Sequence, residues 1–146
     1  MKHIDILLAD DDDDDRLFFS EAINQLDLEI SLNTVGNGVE LINYLKHPDT
    51  LLPELIFLDL NMPVKGGIES LIEIRRTEIL RNLSVAIYST SSAEKEIDEC
   101  LIHGANIYIK KPSDFEILKS ILYKVITTNH QYHRTGLCKD NFLMVI

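Results

Sequence analysis

Short apolar runs alternate along this chain with longer stretches in which apolar residues recur every three or four positions, and that alternation restricts the fold more than any other feature. Runs at positions 4–9, 30–35, 55–58, 85–88 and 107–109 predict five strands. Between and after them, Phe18/Ala22/Ile23/Leu26, Val39/Ile42/Leu45, Ile68/Leu71/Ile72, Ile97/Leu101 and Phe115/Leu118/Leu122/Val125 predict five helices. Gly36, Gly38, the 48–53 stretch, Pro63 with Gly66 and Gly67, Gly104 and Pro112 fall at the joints as turn or cap residues. The third and fourth runs are continuous rather than alternating, as expected of central parallel strands covered on both faces. The expected fold class is therefore α/β, one parallel sheet built from repeated βα units. With 146 residues, 45% of them apolar, the chain can bury a single core without metal or disulfide staples. One domain is expected over residues 1–128. Residues 129–146 lose the periodicity and are expected to be a docking tail, an added edge strand or a disordered end.

A net charge of -10 argues against nucleic-acid and anionic-membrane partners, both of which select basic surface. No apolar run approaches the roughly 20 residues that a membrane span needs, and the first residues lack the apolar core of a secretion signal. Cys100 and Cys138 form no CxxC pair and read as reduced thiols. A cytoplasmic protein whose own ligand is a cation is the expectation.

In an open parallel sheet, ligands bind beyond the carboxyl ends of the strands, so the residues that follow each run carry the chemistry. After the first run come six consecutive aspartates, 10–15; after the third, Asp59; after the fourth, Ser89 and Thr90; after the fifth, Lys110 and Lys111. Asp10 and Asp11 are assigned to the sheet edge, and Asp13 or Asp14 to the N-cap of the following helix. The acidic run also matches part of a calcium-loop spacing, but the position that requires glycine holds Asp15 and the ninth holds Phe18. Asp59 beside Asp10 and Asp11 would repel like charges unless a cation sat among them, and Mg2+ suits one or two carboxylates with phosphate oxygens. A carboxylate in that setting can accept a phosphoryl group. Lys111 can supply an ammonium and Ser89 a hydroxyl to the phosphoryl oxygens.

Asp10-Asp11, Asp59 within Leu58-Asp59-Leu60-Asn61-Met62-Pro63, Ser89 and Lys111-Pro112 occur in the order of one known pattern. Over about residues 3–128 the chain resembles a response-regulator receiver domain of two-component signalling. The resemblance implies a doubly wound five-stranded parallel sheet flanked by five helices, in flavodoxin-like order 2-1-3-4-5. It implies that Asp59 is the phosphoacceptor and that Asp11, Asp59 and the Asn61 carbonyl bind Mg2+, with Asp10 assisting through water. Lys111 would contact the acceptor or its phosphate, Pro112 singling it out from Lys110. Ser89, with Thr90 beside it, and Tyr108 would form a switch, the tyrosine turning into space that the serine vacates. The partners implied are a histidine kinase or histidine phosphotransfer protein, a downstream protein, and a second copy of the chain. The expected role is that of a stand-alone switch or relay shuttle, an enzyme only in its own phosphorylation and dephosphorylation. The acidic 12–15 segment departs from the pattern and leaves open whether Asp12 joins the metal site.

Two other functions compete. A haloacid-dehalogenase-type phosphatase also uses a strand-end aspartate with Mg2+, but it needs a second acid where this chain has Asn61, and an amide cannot exchange protons near neutral pH. A phosphate-independent interaction module would keep the fold without the switch.

Overall fold

The computed structural model describes residues 3–134 and 143–144, with side chains through residue 128. Five βα units follow in order: β1 His3–Ala9, α1 Asp13–Asn24, β2 Glu29–Val35, α2 Gly38–Lys46, β3 Leu55–Leu58, α3 Gly67–Arg76, β4 Ser84–Ser89, α4 Glu94–Ile102, β5 Ile107–Lys110 and α5 Phe115–Arg134. The first five strands are parallel in the order β2-β1-β3-β4-β5, as the resemblance implied. A sixth short strand, β6 Leu143–Met144, lies parallel to β5, with Tyr108 opposite Leu143 and Ile109 opposite Met144. Among the described residues the sheet thus has six strands rather than five, and of the three readings of the tail Leu143 and Met144 follow the edge-strand one. Helix α5 also runs to Arg134, past the position where apolar periodicity fades. Cys138 and the rest of the tail at 135–142 and 145–146 lie outside the described residues. Among the described residues no helix is long and apolar enough to cross a membrane.

The central strands bury both faces, which is why their sequences are continuously apolar. Leu7, Ala9, Ile56, Leu58, Val85, Ile87 and Tyr108 pack on one side against Leu41, Leu45, Leu71, Ile74, Ile97 and Cys100 of α2 to α4. Ile6, Leu8, Phe57, Tyr88 and Ile109 face the other way, against Phe19, Ile23, Leu118, Leu122 and Val125 of α1 and α5. Three rings, Phe19, Phe57 and Tyr88, meet there edge-on, the Phe19 centroid lying 5.0 Å from Phe57 and 5.4 Å from Tyr88. Such edge-to-face pairs contribute about 0.5–1.5 kcal/mol each beyond their buried area.

Several helix faces are rotated from the expected ones. Phe19, not Phe18, is the fully buried aromatic of α1, while Phe18 packs half-buried edge-on to Phe115. In α2, Leu41 joins Ile42 and Leu45 in the core while Val39 is 41% exposed, and in α3 Ile74 is buried beside Leu71 while Ile72 is half-buried. The helix joints are tied by backbone contacts that leave no room for side chains. A Cβ on Gly67, the first residue of α3, would overlap the Asp59 carbonyl oxygen and come within 2.8 Å of Leu60 Cα. Gly67→Ala is accordingly expected to cost about 2 kcal/mol, read as a lower urea midpoint at unchanged slope, because the neighbour that must yield is backbone.

Arg75 near the end of α3 fastens the opposite, amino-terminal ends of the strands. Its Nε donates to the Gly104 carbonyl at 2.9 Å, Nη1 to the Arg81 and Leu83 carbonyls at 2.9 and 2.7 Å, and Nη2 to Asn106 Oδ1 at 2.9 Å. Asn106 Oδ1 accepts the Val85 N–H as well, at 2.8 Å. Gly104 has φ of 95°, a left-handed turn that glycine adopts without strain, and it brings the α4–β5 joint against the arginine stem.

Candidate functional site

Register brings the carboxyl ends of the strands level. Ala9 pairs with Leu58, and the Asp59 N–H donates 2.9 Å to the Ala9 carbonyl, so Asp10 and Asp59 leave the sheet side by side. On the other flank Ser89 pairs with Lys110, and the Lys111 N–H donates 2.7 Å to the Ser89 carbonyl. One edge of the sheet therefore gathers residues separated by a hundred positions in the chain.

Asp10 is fully buried and Asp59 is 6% exposed, whereas Asp11 is exposed. A ligand oxygen from each of the three lies within 4.8 Å of the others. Clustered hard oxygens of this kind suit Mg2+ or another oxygen-loving divalent cation, and two of the three carboxylates have lost most of their contact with bulk water. Burial pushes the Asp59 carboxyl up to about 6, with Lys111 pulling it down and Asp10 pushing it up. A nearby cation would relieve that strain.

Lys111 reaches into the same cleft. Its Nζ lies 2.8 Å from Asp10 Oδ2, 2.9 Å from Asp15 Oδ2 and 3.4 Å from Asp59 Oδ2, and 5.2 Å from the centre of the Tyr88 ring. Burial works against its charge, but the bonds to Asp10 and Asp15 and the charge of Asp59 more than offset it and hold the ammonium above the ordinary lysine range. It is Lys111, not Lys110, that makes these contacts.

The acidic loop divides its work differently from the expectation. Asp12, not Asp13 or Asp14, caps α1, its carboxylate accepting the N–H groups of Asp14 and Asp15 at 2.8 and 3.1 Å. Asp10 sets this up by accepting the Asp12 N–H at 3.0 Å, which holds Asp12 in the extended conformation an N-cap requires. Asp12 is thereby committed to the helix and is not among the three clustered carboxylates. Asp13 pairs with Arg16, whose other nitrogen donates to the Asp10 carbonyl. Asp15, read from sequence as part of an acidic run and as the residue that breaks the calcium-loop pattern, holds Lys111. Its spacing from Asp10, one strand exit plus the first helical turn, was the available signal, but six identical residues concealed it.

Asn61 is exposed, its N–H 3.4 Å from Asp59 Oδ1. Ser89 is fully buried and its Oγ accepts the Ser91 N–H at 3.2 Å; Thr90 beside it is exposed. Tyr108 is also fully buried, its hydroxyl donating 2.6 Å to the Ser91 carbonyl. Ser91 thus touches both members of the expected switch pair, a connection the sequence reading did not contain. The loop after Asp59 carries Val64 at φ of 67°, a left-handed conformation that costs a β-branched residue about 1–3 kcal/mol.

Fold and site together define an open α/β protein with a carboxylate-and-ammonium cleft at the carboxyl edge of its sheet. Residues 6–123 match the response regulator receiver domain, and the chain belongs to that family. Among solved structures it is similar to the phosphorylated cyanobacterial phytochrome response regulator RcpA, 29% identical with a TM-score of 0.80 over 93% of this chain and 98% of that one. Among curated proteins it is 28% identical to the probable methanogenesis regulatory protein FilR2 of Methanothrix harundinacea, over 82% of this chain and 79% of that protein. It is 32% identical to a protein-glutamate methylesterase/protein-glutamine glutaminase of Clostridium acetobutylicum, over 82% of this chain but only 34% of that protein.

Proposed function

We propose that this receiver domain accepts a phosphoryl group on Asp59 from the phosphohistidine of a histidine kinase or phosphotransfer protein, in the cytoplasm, and passes the event to a downstream protein. The observation that carries the reading is the placement of the nearly buried Asp59 carboxylate at the mouth of β3, 3.4 Å from the Lys111 ammonium and clustered with Asp10 and Asp11. The relative RcpA, solved phosphorylated, supports it.

An Asp59 carboxylate oxygen attacks phosphorus as the phosphorus–nitrogen bond breaks; that electron pair stays on the imidazole, which takes a proton from solvent. Lys111 donates to the acceptor or to a phosphoryl oxygen, and Ser89 offers its hydroxyl to another. Asp10, Asp11, Asp59 and the Asn61 carbonyl would hold Mg2+, which when bound neutralises charge on the phosphoryl oxygens. Hydrolysis reverses the state when water attacks phosphorus and the Asp59 carboxylate leaves.

Drawing the Ser89 hydroxyl toward the phosphoryl group would take its oxygen from the Ser91 N–H, and Ser91 also anchors the Tyr108 hydroxyl. Since Tyr108 is already turned inward, the change expected is a movement of the β4–α4 loop around it. The dehalogenase-type alternative lacks its second acid at Asn61.

The test is a titration with beryllofluoride, an aspartyl-phosphate mimic, in Mg2+, followed by NMR in wild type and Asp59→Asn. Shifts at Ser89, Ser91 and Tyr108 in wild type, absent from the variant, are the expected result. A folded wild type that binds Mg2+ without such shifts would favour the phosphate-independent module.

A further inference from the structure

Lys111 is engaged by three carboxylates, and one of them has no part in the phosphoacceptor site as proposed. An ammonium has three N–H donors, so Asp10, Asp15 and Asp59 occupy them all. The two shorter contacts, 2.8 Å to Asp10 and 2.9 Å to Asp15, draw the lysine toward the α1 side of the cleft and leave Asp59 the long one at 3.4 Å. Once Asp59 carries a phosphoryl group, the donor it holds can pass to a phosphoryl oxygen, but a short contact there requires the ammonium to move toward the acceptor and away from Asp10 or Asp15. Asp10 is the poorer candidate to lose that contact, because its side chain is wholly buried and water cannot take the ammonium's place. The Asp15 side chain is 40% exposed on the first turn of α1, where water can replace the ammonium.

We propose that Asp15 is a positioning residue that holds Lys111 back from the phosphoacceptor and so limits how strongly the aspartyl phosphate is stabilised. The proposal rests on the phosphoacceptor reading of Asp59. Asp15 acts through Lys111 and touches no reacting atom.

The experiment compares wild type, Asp15→Asn and Asp14→Asn in the full chain. Asp14 lies in the same helical turn, and its substitution removes the same charge without removing a Lys111 contact. Half-saturation with beryllofluoride in Mg2+ is measured by NMR, together with the 15N resonance of Lys111 Nζ. The expected result is saturation of Asp15→Asn at about three- to fivefold lower beryllofluoride than Asp14→Asn, the span that one partly exposed ion pair can supply. The Lys111 Nζ resonance should move in Asp15→Asn and stay in place in Asp14→Asn. Equal midpoints for the two variants, a weaker Asp15→Asn, or an unmoved Lys111 resonance would overturn the proposal. A wild type that takes up no beryllofluoride would instead overturn the reading of Asp59, and the two failures are thereby told apart.

Discussion

Asp59→Asn is expected to abolish phosphoryl uptake and, in metal-free buffer at pH 7, to make the fold more stable rather than less. Asp59 is nearly buried, and its carboxyl is raised from 3.8 to about 6, chiefly by burial. Between those two values the folded chain keeps a proton on Asp59 that the unfolded chain has released. Stability therefore falls as pH rises through that window, and above about 6 the whole deficit is present. At 1.36 kcal/mol per unit the deficit is at most about 3 kcal/mol. An amide of the same shape has no such ionisation. Removing one partner from a buried ion pair usually destabilises, but Lys111 keeps Asp10 and Asp15, so the gain should be about 1–2 kcal/mol. Urea denaturation in chelator at pH 4 and pH 7 reads both parts: the wild type should lose stability between them relative to the variant. Added Mg2+ should narrow the gap at pH 7 by favouring the ionised Asp59. A variant less stable than wild type at pH 7 would show that the Asp59 carboxylate is not strained.

Arg75→Met should carry the largest loss of stability, about 3 kcal/mol. Methionine fills much of the same volume, so packing is roughly kept and the loss is one of hydrogen bonds. The carbonyls of Gly104, Arg81 and Leu83 lose a charged donor, and Asn106 loses one of its two. Each buried acceptor left unpaired costs about 1–3 kcal/mol, and water entering at the exposed Arg81 carbonyl recovers part of it. Arg75→Lys should recover less than half, since a single ammonium cannot span four acceptors in the plane of a guanidinium. Chemical denaturation measures both, and amide exchange should quicken first in the α4–β5 joint that Gly104 forms. A loss below about 1 kcal/mol for Arg75→Met would mean that the turns hold without the arginine.

The strands were legible because burial on both faces leaves β1, β3 and β4 almost no choice of residue. The helix faces were less so: steps of three and four fit more than one phase, and only contact with the sheet decides that Leu41 and Phe19 go inward while Val39 and Phe18 do not. Asp10, Asp11, Asp59 and Lys111 could be assembled from strand ends alone, because parallel strands must deliver their ends to one edge. Within the 10–15 segment, composition carries no positional information, and both the cap at Asp12 and the reach of Asp15 had to be seen in three dimensions. Arg75 in sequence is an ordinary basic residue of a helix's last turn. Three of its four acceptors are backbone carbonyls, which leave no trace in side-chain patterns.

That every strand of the sheet points the same way has a consequence for how this chain tolerates change over time. Residues that follow strands gather at the carboxylate-and-ammonium cleft, and residues that precede β5, such as Gly104 and Asn106, are gathered by Arg75 at the other end. A substitution library scored separately for abundance and for signalling would therefore show positions at the Arg75 end moving abundance alone, and positions at the other end, Asp59 among them, moving both. Drift at the Arg75 pole would be buffered or purged by the cell's quality control, while drift at Asp15, under the role proposed for it, would retune the lifetime of a signal.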